Sequence, residues 1–144
     1  METSNTRLIF FHKHPVSANL QFLYFPYGGV CAFEPLPRLS ALIDTDEVES
    51  QYNSVIHPSS ITSWAERQLQ LESGALHAES DFYEQVEVPG GKISIYLAGF
   101  TGYEVTDSSM SQYGARLISL MECVGIAPVE MLLLQKAYRV IMGG

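Results

Sequence analysis

Cysteine, positive charge and long apolar runs are all scarce in this chain, and each scarcity narrows what it does. Two cysteines, Cys31 and Cys123, occur in 144 residues. They have no CysXXCys or Cys/His metal spacing and sit among apolar neighbours, so they read as two buried thiols of the core and not as a disulfide or a zinc framework. Eight Lys and Arg stand against sixteen Asp and Glu, a formal charge of −8. With no basic stripe to release counterions from a phosphate backbone, nucleic acid is excluded as a partner. No stretch approaches the roughly 20 apolar residues of a membrane-spanning helix, and residues 1–7 lack the basic-then-apolar layout of a signal peptide. The expectation is a cytoplasmic protein with no membrane partner. GlyXSerXGly, a phosphate-binding glycine loop and HisGluXXHis are also missing, which removes the common hydrolase, nucleotide-fold and metalloprotease signatures.

What is present is core material. Apolar residues make up 47% of the chain and charged ones 17%, which suits a folded domain and not a disordered segment, and the length fits one domain. Residues 7–13 and 20–25 are short, aromatic and apolar, and read as strands; residues 30–33 read as a third. Residues 38–43 are expected to form a short helix. The acidic, aperiodic stretch 44–58 reads as an exposed loop insertion.

Ser59, Ser60 and Ser63 offer N-cap oxygens, Ser63 with Glu66 has capping-box spacing, and Gly74 suits a C′ position. A helix between them carries Ile61, Trp64, Ala65 and Leu69 on one face. Residues 82–88 and 92–100 flank Pro89, Gly90 and Gly91, and the alternation Ile93, Ile95, Leu97 marks a β-hairpin. Met110, Tyr113, Leu117, Leu120, Met121 and Val124 follow helical spacing, and Pro128 opens a final helix with Val129, Leu132, Leu133, Ala137 and Val140 inward. The fold expected is α+β, a mixed β-sheet with packed helices.

His12 and His14 share one face of a strand but have no third ligand in sequence, so they read as a solvent-facing pair, and His57 reads as a loop residue. The passage 67–75 runs Arg67, Gln68, Leu69, Gln70, Leu71, Glu72, Ser73, Gly74, Ala75. It resembles the second half of the Nudix box, matching at Arg67, Leu69, Glu72, Gly74 and Ala75 and departing at Gln68 and Leu71, where that family has glutamates. At the spacing of the first half stand Asn53 and Ser59, which do not fit. Gly28 and Glu34 have the Gly-to-Glu spacing and follow a strand and a PheProTyrGlyGly turn, joined to Arg67 by a long acidic insertion.

The resemblance implies a Nudix-like sandwich of sheet between helices. Its candidate metal or substrate site is Glu72 and Arg67, with Glu34 conditional on the insertion. The plain alternative is an exposed Glu72 and an Arg67 that pairs with Glu66, Glu72 or Glu34 as an ordinary ion pair. Because Gln68 and Leu71 cannot act as anionic ligands, the expected function is a ligand-binding or regulatory module without metal-dependent hydrolysis, accepting a small phosphorylated ligand and assembling as a homodimer. The alternatives are an active hydrolase of a nucleoside-diphosphate-linked compound, with Glu34, Glu72 and acids of 44–49 holding magnesium or manganese, or an unrelated α+β interaction domain.

Overall fold

The computed structural model describes residues 5–14, 19–32, 34–43, 58–101, 114–123 and 125–143. Among these, eight strands form one mixed sheet: β1 (Thr6–Lys13), β2 (Leu20–Tyr24), β3 (Cys31–Ala32), β4 (Ala41–Leu42), β5 (Leu76–Ala78), β6 (Glu84–Val88), β7 (Gly91–Phe100) and β8 (Arg116–Ser119). Their order is β4-β6-β7-β1-β2-β8, with β3 on β1 and β5 on β7. β1 and β7 lie parallel at the centre, Leu8 facing Tyr96 and Phe10 facing Ala98, and every other pairing is antiparallel.

Both central strands are near-continuous apolar runs because both faces of the sheet are covered. Successive side chains of a strand point to opposite faces. Ile9 and Phe11 of β1, Phe22 of β2 and Ile95 and Leu97 of β7 therefore enter one core with Val129, Leu133, Leu134 and Ala137. Leu8, Phe10, Leu23, Tyr96 and Ala98 enter the other with Ile61, Ala65 and Leu69. The two covering helices are α1 (Pro58–Gln68) and α2 (Pro128–Gly143).

The β6–β7 hairpin forms as expected, Val88 facing Gly91 across Pro89 and Gly90, with Gly90 at φ +91°. Gly99 marks the closest approach on β7: a Cβ there would stand 2.6 Å from the Phe11 ring and 2.7 Å from that of His77. Gly99→Ala is expected to destabilise by about 1–3 kcal/mol through overpacking, which a urea titration would detect as a lowered midpoint at unchanged slope.

Several expectations are corrected. Residues 38–43 are not helical: Arg38 and Leu39 turn, and β4 pairs Leu42 with Val86, since completing the sheet edge outweighs the weak helical preference of so short a piece. Residues 116–119 form β8 and not a helix, followed by a 3-10 turn at Leu120–Glu122. The adjacent apolar pair Leu117 and Ile118 packs into opposite cores, and a two-sided strand yields the same dense apolar spacing as a helix. Met110, Tyr113 and Val124 lie outside the described residues, as do residues 44–57 of the expected insertion and His57; residue 58 belongs to α1.

α1 begins at Pro58, so Ser63 is interior and caps nothing. It ends on a Schellman pattern in which Leu71 N donates to Glu66 O at 2.8 Å and Gln70 N to Arg67 O at 3.2 Å, with Gln70 at φ +57° in the position expected of Gly74. His12 is buried, so it and His14 are not a solvent-facing pair. On α2, Leu132 faces outward.

Candidate functional site

Two buried carboxylates, Glu66 and Glu130, organise the polar interior; the sequence marks Glu66 only as a capping-box or ion-pair partner and does not mark Glu130. Glu66 lies on the inner side of α1, 6% exposed, and its Oε2 accepts from Gly74 N at 3.0 Å and Leu76 N at 2.9 Å. One carboxylate thereby satisfies two backbone donors and holds the return from α1 into β5.

Glu130, in the first turn of α2 and 4% exposed, reaches the turn that joins β2 to β3. That turn closes through Phe25 N to Gly29 O at 2.8 Å and Gly28 N to Phe25 O at 3.0 Å. Glu130 Oε1 accepts from Val30 N at 2.7 Å, and the carboxyl also receives the backbone N–H and thiol of Cys31. Glycine at 29 is required because a Cβ would stand 2.8 and 2.9 Å from the two carboxyl oxygens. Burial pushes the Glu130 carboxyl up, against the downward pull of its bonds from Val30 and Cys31. The detectable signal was an acid on an inward face otherwise made of Val129, Leu133, Leu134 and Ala137.

Arg7 is buried beside this turn. Its Nη1 donates to Thr6 O at 3.0 Å and lies 3.5 Å from Glu34 Oε1, and its Nη2 donates to Pro35 O at 3.3 Å. The Tyr27 hydroxyl donates to Cys31 O. Burial holds the Tyr27 phenol and the Cys31 thiol in their neutral forms, the Cys31 thiol well above its ordinary value, with Glu130 adding to the effect and Arg7 opposing it. Cys123 is pushed up to about 11, by burial first and then by Glu122 and Glu130. Both cysteines are free and buried, and neither is poised as a thiolate nucleophile.

Of the residues carried over from the Nudix pattern, Glu34 joins these ties through Arg7, whereas Arg67 and Glu72 stand apart from them. Arg67 is exposed in the last turn of α1, and the ion pairs among the described residues, Arg7–Glu34 and Lys136–Glu84, do not include it. Glu72 is exposed beyond the helix end, its carbonyl accepting from Ala75 N at 3.1 Å. Glu34 has a side chain 61% exposed and lies against Arg7. Among the described residues no three His, Cys, Asp or Glu side chains come together as a metal-holding group. Glu34 and Glu72 alone do not supply the several converging oxygens a divalent ion needs, and the acids of 44–49 that would join them lie outside the described residues.

Beside the Arg7 and Glu130 cluster lies a cleft of about 300 Å³ between residues 36–40 and 127–129. Its walls are chiefly apolar, from Leu36, Pro37, Leu39, Pro128 and Val129, with Arg38 and Ser40 as the polar members. Leu39 is 87% exposed and sits at φ +64°. A β-carbon in that left-handed region costs roughly 1–2 kcal/mol.

Neither a protein-family model nor a curated protein matches the chain. Its own side chains have to carry the functional reading.

Proposed function

We propose that this chain is a Nudix-like ligand-binding or regulatory module without metal-dependent hydrolysis, taking a small ligand in the cleft between residues 36–40 and 127–129. The observation that carries this reading is the engagement of the carboxylates. Glu66 is filled by two backbone donors and Glu34 lies against Arg7, while Glu72 stands exposed beyond the end of α1. The mixed sheet between two helices agrees with the sandwich that the Arg67-to-Ala75 resemblance implies.

The cleft suits a ligand with an apolar body and an anionic group, a phosphorylated one included. Apolar walls contribute burial, and Arg38 supplies donors, while the Ser40 hydroxyl donates to Pro37 O and can only accept. Leu39 supports this role because an exposed leucine in a left-handed conformation adds nothing to the core and costs backbone energy, a pattern found where function overrides stability.

A thermal-shift titration with nucleoside diphosphates and dinucleotides, with and without magnesium or manganese, tests the proposal when product release is followed in the same samples. Stabilisation without metal dependence or turnover is expected, about 2.7 kcal/mol at a hundredfold excess over Kd. Leu39→Gly should raise stability by roughly 0.5–1 kcal/mol by relieving the left-handed leucine and weaken that ligand response. Metal-dependent turnover abolished by Glu72→Gln would establish the hydrolase alternative. No response to any of these compounds would leave an interaction domain.

A further inference from the structure

We infer that the preferred ligand of the cleft between residues 36–40 and 127–129 is an aliphatic monocarboxylate, with its chain between the two walls and its carboxylate on Arg38. The inference rests on the binding reading above and narrows it to one chemical class. Leu36, Pro37, Leu39, Ala127, Pro128 and Val129 are all aliphatic, and among the described residues no aromatic side chain lines the cleft. A nucleobase draws much of its affinity from stacking on aromatic rings, which this lining does not offer. An alkyl chain needs only apolar surface that leaves water with it. At about 300 Å³ the cleft is at the small end for a ligand site, which calls for a short chain. A chain lying there also covers Leu39, which is 87% exposed.

Charge sets the head group. Among the described residues Arg38 is the one charged side chain of the lining, and it is exposed. It takes part in neither of the ion pairs found among them, Arg7–Glu34 and Lys136–Glu84. A guanidinium fork matches one carboxylate bidentately. The Ser40 hydroxyl donates to Pro37 O and adds no donor. A nucleoside diphosphate brings further negative charges, which a chain of net charge −8 repels and which the lining has no second cation to meet. The described lining holds no acid either, so the ammonium group of an amino acid has no partner there.

Thermal-shift titration and calorimetry of the full chain with butanoate, hexanoate, octanoate and decanoate test the inference, each below its micelle concentration and without added metal. Octanol and ADP are the comparison ligands. Affinity should rise about two- to fourfold for each added methylene and level off once the chain fills the cleft. Octanol and ADP should each bind roughly tenfold more weakly than octanoate, since one lacks the charge-assisted pair and the other lacks the alkyl chain. Arg38→Gln, at an exposed position outside the core, should weaken octanoate about tenfold and leave octanol unchanged. Arg38→Lys keeps the charge without the fork and should restore part of the loss.

Octanol binding as tightly as octanoate would overturn the inference, and so would octanoate binding untouched by Arg38→Gln. ADP binding more tightly than every carboxylate would overturn it too, while leaving the binding reading in place. No response to the carboxylates or to ADP would overturn both.

Discussion

Glu66→Ala is expected to lower the unfolding free energy by roughly 3–5 kcal/mol, because it orphans two backbone donors that a single carboxylate satisfies. The donors are Gly74 N and Leu76 N, at 3.0 and 2.9 Å, and Leu76 N is part of a buried bond. A hydrogen bond to a charged acceptor is worth about 1.5–3 kcal/mol, and an unfilled buried donor costs a comparable amount. For a chain of 144 residues the loss corresponds to a fall in Tm of roughly 10 °C. Glu66→Gln keeps an acceptor oxygen at the same reach and should cost only about 1–2 kcal/mol. Urea denaturation of the two variants checks the difference. A Glu66→Ala loss below 1 kcal/mol would show that the return from α1 into β5 is held by its apolar contacts alone.

Glu130→Ala should cost roughly 2–4 kcal/mol, since it strips the acceptor from the buried Val30 N and from the Cys31 backbone. The more discriminating variant is Glu130→Gln, compared with wild type across pH. Burial raises the carboxyl of Glu130 in the folded chain, so the folded state keeps its proton to a higher pH than the unfolded state. Its contribution to stability is then full below the ordinary glutamate value of about 4.3 and is lost as pH rises through the folded value.

Other acids contribute their own slopes. Burial shifts Glu84 upward, with Lys136 opposing, while the Ser119 hydrogen bonds shift Glu122 downward. The difference between wild type and Glu130→Gln cancels these shared terms. Urea titrations between about pH 4 and 8 should show the wild type gaining on the variant as pH is lowered. A difference flat with pH would mean that the bonds from Val30 and Cys31 offset burial completely.

The residues that read correctly from sequence were those with one dominant local signal. Ile93, Ile95 and Leu97 alternate around a Pro-Gly turn, and that pattern admits little besides a hairpin. Val129, Leu133, Ala137 and Val140 repeat with helical period behind Pro128, and a strand would turn Val140 to the face opposite the other three. Pro58 opens α1, as proline at a first helical position can, although the N-cap chemistry of the serines after it points to a later start.

The Arg116–Ser119 error has a different origin. Leu117 and Ile118 are consecutive apolar residues, and only a sheet covered on both faces gives each a place in a core, which nothing within four residues of sequence can announce. The buried carboxylates were missed for the same reason. Glu66 and Glu130 are ordinary acids in sequence; each becomes a structural acceptor only when a remote turn, at residues 74–76 or 29–31, presents backbone N–H groups to it.

By itself the sequence determined the class of fold, a mixed sheet with packed helices, because hydrophobic period and turn chemistry are local quantities. The parallel pairing of β1 and β7 at the centre, the contact of Glu34 with Arg7 and the cleft between residues 36–40 and 127–129 exist only in the folded chain. Those are long-range juxtapositions, and they depend on how two covered faces close around one sheet.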